Sequence, residues 1–195
     1  MLAFTPRLHR AVYTAALAHH GQFRKDQDAQ IPYVAHVFGV AYILAEFGFD
    51  EDVVIAGLLH DVLEDQPQFA AEVAGFGERV HALVQGVTER KKDTGGADIP
   101  WADRKAAYIE HLRGAPPEVR ALSCADKIHN MQSMLLALER AGDKIWGAMK
   151  AGPDKQLNRF RKLREVVGDG WQHPILDRYD ATLQALERRI RESQV

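Results

Sequence analysis

Apolar and polar positions follow a helical period along almost the whole chain. Thr5-Pro6 has the form of an N-cap followed by a first-turn proline. Leu8, Val12, Ala15, Ala16 and His19 then recur at helical spacing, and Gly21 supplies the stop. The polar stretch 22–30 reads as a loop. A second helix is predicted over about 32–47, where Val34, Val37, Phe38, Ala41, Leu44 and Ala45 form a broad apolar face that ends at Gly48. Asp50 caps a third, DEDVVIAGLLHDVLED, over 50–65. Its middle is apolar nearly all round, which places it at the centre of a bundle. Further helices are predicted over 69–74, 78–88, 100–113, 117–139, 153–167 and 174–192. The polar segment ERKKDTGGADI (89–99), with Gly95-Gly96, is the best loop candidate. No segment shows a period of two, and there is no internal repeat. The pattern predicts an all-α, single-domain helical bundle of about eight or nine helices spanning 1–195.

Composition narrows the partners more than the fold. The 195 residues carry 25 basic and 27 acidic side chains, interspersed, for a net charge of -2. That balance gives no electrostatic footprint for nucleic acid or an anionic membrane, while leaving scattered cations for a small phosphorylated ligand. The longest purely apolar run, 53–59, is far too short for a membrane helix, and the N-terminus MLAFTPRLHR has no long apolar stretch of the secretory kind. A single cysteine, Cys124, suits a reducing cytoplasm and reads as a small core residue. Nine histidines are more than core packing usually calls for.

Three places could carry chemistry. His60, Asp61, Glu64 and Asp65 would sit at 0°, 100°, 40° and 140° on one continuous helix, sharing a sector of its surface. Four ionisable groups on the most apolar helix are costly to bury unless a divalent cation compensates them. With 9 histidines and 15 aspartates a His-Asp dipeptide is expected by chance about 0.7 times, so the dipeptide alone says little, and Glu64-Asp65 also reads as an exposed acidic end before Pro67. His36, on the apolar second helix, fits a core histidine as well as a ligand. Asp126, His129, Asn130 and Ser133 share one polar face of a later helix, and a solvated face would show the same pattern. Taken together, His36, His60, Asp61 and Asp126 form a two-nitrogen, two-oxygen donor set. It suits manganese, iron, zinc or cobalt, with positions left for water and substrate.

In that order these residues resemble the HD-domain phosphohydrolases. The closer resemblance is to the hydrolase domain of the Rel/SpoT alarmone enzymes and to single-domain small alarmone hydrolases. It covers about 8–165 and is carried by HHGQFRKD (19–26), PYVAH (32–36), AGLLHDVLED (56–65), FGERVHALVQGVTE (76–89), DRK (103–105) and ADKIHNM (125–131). HDxxED and RKD are its specific elements. The chain departs from the family in having Asn158-Arg159 before Phe160, where aromatic residues are common.

The resemblance implies that His36, His60, Asp61 and Asp126 bind Mn²⁺ and that Glu64 and Asp65 orient or activate the attacking water. It further implies that Arg24 and Lys25 meet the guanine and its phosphates, with Asn130 and Ser133 lining the nucleotide pocket. The implied reaction removes the 3′-pyrophosphate of ppGpp or pppGpp, leaving GDP or GTP, with no room for a synthetase domain. Lys91, Lys92, Arg104, Lys105 and Lys144 are candidates for neutralising the phosphates, each equally readable as a solvated surface residue. Two alternatives share the fold: a phosphohydrolase acting on the 2′-phosphate of NADPH or a nucleoside monophosphate, and a non-catalytic alarmone-binding module. Arg24 discriminates the first, since changing it should hurt a guanine substrate most. An intact Glu64-Asp65 pair argues against the second.

Overall fold

The computed structural model describes residues 3–24, 30–149 and 151–193. Within them the α-helices run in the order α1 (Pro6–Ala18), α2 (Val34–Glu46), α3 (Glu51–Leu59), α4 (Val62–Asp65), α5 (Ala70–Ala74), α6 (Glu78–Val87), α7 (Trp101–Arg113), α8 (Pro117–Ala141), α9 (Pro153–Gly168) and α10 (Pro174–Ser193), with 3₁₀ turns at Pro67–Phe69 and Gly142–Ala148. The architecture is all-α. Among the described residues the only extended pairings are single bridges, Phe23 to Pro32 and Lys92 to Asp98. No helix among them is long and apolar enough to cross a membrane.

Local chemistry explains most boundaries. Thr5 Oγ1 accepts from the Leu8 amide and Asp50 Oδ1 from the Val53 amide, so both predicted N-caps form. The chain leaves α1 through Gly21 at φ 73°, a conformation glycine adopts without a Cβ penalty. Every residue of α3 from Val53 to Leu59 is buried, as its all-round apolarity requires. The 25-residue α8 crosses the molecule and packs against α2, α3, α6, α9 and α10. Its Leu122, Ile128, Met131 and Leu138 are fully enclosed. Helix α10 covers the far side, where the Tyr179 hydroxyl donates to the Phe160 carbonyl at 2.9 Å.

Two differences from the sequence pattern matter. The segment 50–65 is not one helix: it turns at His60 and Asp61, where Asp61 has φ −95° and ψ −5°, and resumes as α4. The angular offsets of a continuous helix therefore do not hold across the break, and both residues present their side chains from the turn. The 3₁₀ segment at Gly142–Ala148 has no apolar periodicity to announce it.

Helices α2 and α3 approach most closely at Gly57. A Cβ there would stand 2.8 Å from Leu44 Cδ1 and 3.0 Å from the Ala41 Cα, a backbone atom that cannot step aside. Gly57→Ala should therefore force the two helices apart. A loss of about 1–3 kcal/mol is expected, read from urea unfolding of the variant against the parent.

Candidate metal centre and substrate cavity

Three elements deliver the central cluster: His36 lies in the first turn of α2, His60 closes α3, and Asp126 sits mid-way along α8. One ligand atom from each lies within 4.8 Å of the other two. His36 Nε2 is 3.4 Å from Asp126 Oδ1 and 3.5 Å from Asp61 Oδ2, and His60 Nε2 is 3.1 Å from that same Asp61 oxygen. His36 and His60 are 1% and 3% exposed, which removes the reading of the Asp126 face as a solvated one, since Asp126 meets them inside.

The remaining hydrogen bonds aim these groups. His60 Nδ1 lies 2.9 Å from the Gly57 carbonyl, which accepts its proton and leaves Nε2 turned to the cluster with no aligned partner among the described residues. His36 Nδ1 lies 2.9 Å from His129 Nδ1. Two imidazole lone pairs, one of them on the orphaned buried His60 Nε2, and the Asp126 carboxylate make a donor set that fits a borderline divalent cation. In the absence of a cation, the charges of the cluster compensate one another. Burial pushes the Asp61 carboxyl up, but the charges of His60 and His36 outweigh it and hold it well below its ordinary value. Burial likewise opposes ionisation of Asp126, whose carboxyl is nonetheless held low by Lys127 and the two histidines. Against burial, Asp61 holds His60 up at about 9, while burial and then the charge of His36 push His129 down to about 3.

A cavity of about 890 Å³ opens from this cluster. Glu64 and Asp65 stand on its wall. Glu64 is raised by burial and then by the neighbouring carboxylates of Glu89 and Asp61, and its oxygens lie 3.4 Å from the Glu89 amide and 3.5 Å from Lys91 Nζ. Asp65 accepts from Gln22 Nε2 at 3.0 Å and lies 3.3 Å from Lys91 Nζ. This pair is thus part of the cavity rather than a free acidic helix end.

The other sequence candidates fall as follows. Arg24 Nη2 donates to Asn130 Oδ1 at 2.8 Å, and Asn130 Nδ2 donates in turn to Asp126 Oδ1 at 2.5 Å. Ser133 lines the cavity, but its hydroxyl donates to the His129 carbonyl of its own helix at 2.9 Å. Lys25 lies outside the described residues. Lys105 lines the cavity bonded to Glu89. Lys92, Arg104 and Lys144 do not line it. Cys124 is fully buried, and burial pushes its thiol up to about 12, as befits a core residue.

Several contributors carried no signal of their own in the sequence. Tyr33, inside PYVAH, donates its hydroxyl to Asp61 Oδ2 at 2.6 Å. Lys127, next to Asp126, is buried and bonded to that carboxylate. Also lining the cavity, Trp101 lies under the Arg159 guanidinium, 5.5 Å from ring centre to Cζ, and Lys105 and Lys127 line it as well. Arg159 stands next to Phe160, at the point where the sequence departs from the Rel/SpoT pattern, so a cation reaches the cavity there.

An all-α bundle holding a His/His/Asp cluster at the floor of a nucleotide-sized cavity defines a helical domain of the metal-site class. The chain belongs to the HD-domain family, whose profile matches residues 11–154. It is 35% identical over 167 residues to the bifunctional (p)ppGpp synthase/hydrolase SpoT of Escherichia coli, covering 82% of this chain and 20% of that protein. The chain thus spans about a fifth of the length of that relative. It is also 34% identical over 149 residues to guanosine-3′,5′-bis(diphosphate) 3′-pyrophosphohydrolase MESH1 of Danio rerio, covering 75% of this chain and 77% of MESH1. Among solved structures, lmo0812 from Listeria monocytogenes superposes with a TM-score of 0.69 at 35% identity, over 77% of this chain and 97% of that one. A metazoan ortholog of SpoT described as hydrolysing ppGpp superposes with a TM-score of 0.66 at 26% identity, over 99% and 96% of the two chains.

Proposed function

We propose that the chain, as one hydrolase domain, is a manganese-dependent (p)ppGpp 3′-pyrophosphohydrolase acting on a small guanosine polyphosphate in the cytoplasm. The observation that carries the proposal is the opening of the His36/His60/Asp126 cluster into the same cavity as Glu64. The resemblance to MESH1 over most of both chains supports the choice of substrate. His36, His60, Asp61 and Asp126 would hold the cation, which when bound supplies charge neutralisation at the phosphoryl group and acidifies a water. Tyr33 and Asn130 hold the Asp61 and Asp126 carboxylates in place.

Glu64 takes the proton from the attacking water as oxygen adds to the phosphorus that carries the 3′-oxygen. The 3′-oxygen–phosphorus bond breaks, the nucleoside 3′-oxygen gains a proton, and pyrophosphate leaves. Asp65, fixed by Gln22, and Lys91 orient Glu64 and the water. Arg24, Lys25, Asn130 and Ser133 would face the guanosine side. Lys105, Lys127 and Arg159 also line the cavity and would supply positive charge for the departing pyrophosphate.

The test is purified protein with Mn²⁺ and ppGpp, with pyrophosphate release as the readout. Release that depends on added Mn²⁺ is expected, and its absence overturns the proposal.

A pH prediction follows from Glu64. Its pKa lies above the ordinary carboxylate value, so ionised base is lost earlier as pH falls, and the acid limb of kcat/KM should lie above that of a free glutamate. Asp61, Glu89, Lys91 and Lys105 are the charged groups that act on it. Glu89→Gln removes one negative neighbour and frees the positive charge of Lys105, so the limb should move to lower pH. Overlaid pH profiles of the parent and Glu89→Gln enzymes check the sign.

A further inference from the structure

His36 offers the cluster one ring nitrogen, and the partner of the other decides whether it can. Its Nδ1 lies 2.9 Å from His129 Nδ1, with ring centroids 4.8 Å apart and planes at 61°. Two imidazole nitrogens this close share one proton, so one ring donates and the other accepts. A lone pair on His36 Nε2 requires the proton on His36 Nδ1, and His129 Nδ1 must then accept it.

The surroundings favour that arrangement. The Ser133 hydroxyl, 3.4 Å from His129 Nδ1, directs its proton instead to the His129 carbonyl at 2.9 Å. Helix α2 also leaves a seat for the ring. A Cβ at Gly39 would stand 2.1 Å from His129 Cδ2 and 2.4 Å from its Nε2. Gly39 lies three residues after His36, on the same face of α2, and a glycine inside a helix is otherwise unfavourable. The other cluster histidine has the same arrangement built from backbone, with the Gly57 carbonyl accepting from His60 Nδ1.

The geometry points to His129 as a positioning residue: as a neutral acceptor it fixes the tautomer of His36 and the aim of its Nε2 at the divalent cation. This deepens the reading of His36 as a ligand and rests on it. Gly39 serves the same end by leaving room for the ring. Outer partners of this kind change metal affinity about 10–100-fold when lost.

The experiment measures Mn²⁺ affinity of the full chain by titration calorimetry, without nucleotide, for the parent, His129→Leu, His129→Asn and Gly39→Ala. Asparagine places an accepting oxygen where Nδ1 stood, whereas leucine keeps bulk and accepts nothing. His129→Leu should bind Mn²⁺ about 10–100-fold more weakly, and Gly39→Ala should weaken it too. His129→Asn should restore most of the affinity. Parent-like binding by His129→Leu overturns the inference, as does equal weakening by leucine and asparagine, which would mark simple packing.

Nitrogen-15 NMR of the unsubstituted protein with Zn²⁺ serves where a variant fails to fold. It should show a proton on His36 Nδ1 and none on His129 Nδ1, and the reverse overturns the inference. A parent protein that binds Mn²⁺ but leaves ppGpp intact overturns the proposed activity and leaves this inference standing. A parent that binds no Mn²⁺ overturns both.

Discussion

Glu64→Ala combined with Asp65→Ala should lower ppGpp turnover by roughly 10²–10⁴-fold while leaving Mn²⁺ bound. Neither side chain is among the closest cluster groups, so the cation keeps its donors when both are removed. On the proposed mechanism, what disappears is the base. Glu64 is the carboxyl on the cavity wall that burial and two neighbouring carboxylates push up, and such a group accepts a proton near neutral pH better than an ordinary exposed one. Asp65 has the supporting part, held by Gln22 and close to Lys91. The single variants should therefore be unequal, with Glu64→Ala the more damaging. Steady-state turnover beside calorimetric Mn²⁺ affinity for all three variants decides it. A loss of metal affinity in step with turnover would place the pair in the coordination set instead.

Asp126→Ala is expected to have the largest effect on the folded protein itself. Asp126 gathers His36, Asn130 and Lys127 around one carboxylate. Lys127 is buried, and the charge of Asp126 keeps its ammonium ionised against the opposing effect of burial. Removing the acid strands that charge in the core, a change that costs about 3–5 kcal/mol, and removes a cation donor as well. Replacing both Asp126 by Ala and Lys127 by Met should recover most of the stability and none of the metal binding. Urea unfolding and Mn²⁺ titration of the single and double variants separate the two consequences. If the double variant is no more stable than the single one, Lys127 is not the source of the loss.

The helical framework was legible because each helix of the bundle has an apolar face of its own. The Thr5 and Asp50 caps, the prolines opening α8, α9 and α10 and the apolar middle of α3 follow from local rules that tertiary packing does not override. The turn at His60-Asp61 was not legible. Apolar periodicity runs through it from Val53 to Leu63, and what distinguishes it is a side chain bonded to its own helix's carbonyl, which no residue pattern encodes. The core of the site was legible as a set of residue types in order. His36, His60 and Asp126 are now seen to meet, and Asp61 joins them through His60 and His36.

Partners that act through one exact neighbour left no trace in the sequence. Tyr33 matters because its hydroxyl ends at Asp61, and Gln22 because a loop backbone pairs with Tyr33 and brings it to Asp65. Ser133 shows the converse: it was placed by helical spacing on the right face, yet its hydroxyl turns back to its own backbone. Spacing fixes the face of a helix and leaves open where a short rotatable hydroxyl points.

The close crossing at Gly57 has a meaning beyond packing. His36 belongs to α2 and His60 to α3, and their rings lie 5.1 Å apart because Gly57 lets the two backbones nearly touch. The span between the candidate donor nitrogens is therefore gauged in part by a residue with no side chain to offer the ion. The proposed metal site is thus shaped by a helix crossing as well as by the residues that would hold the ion.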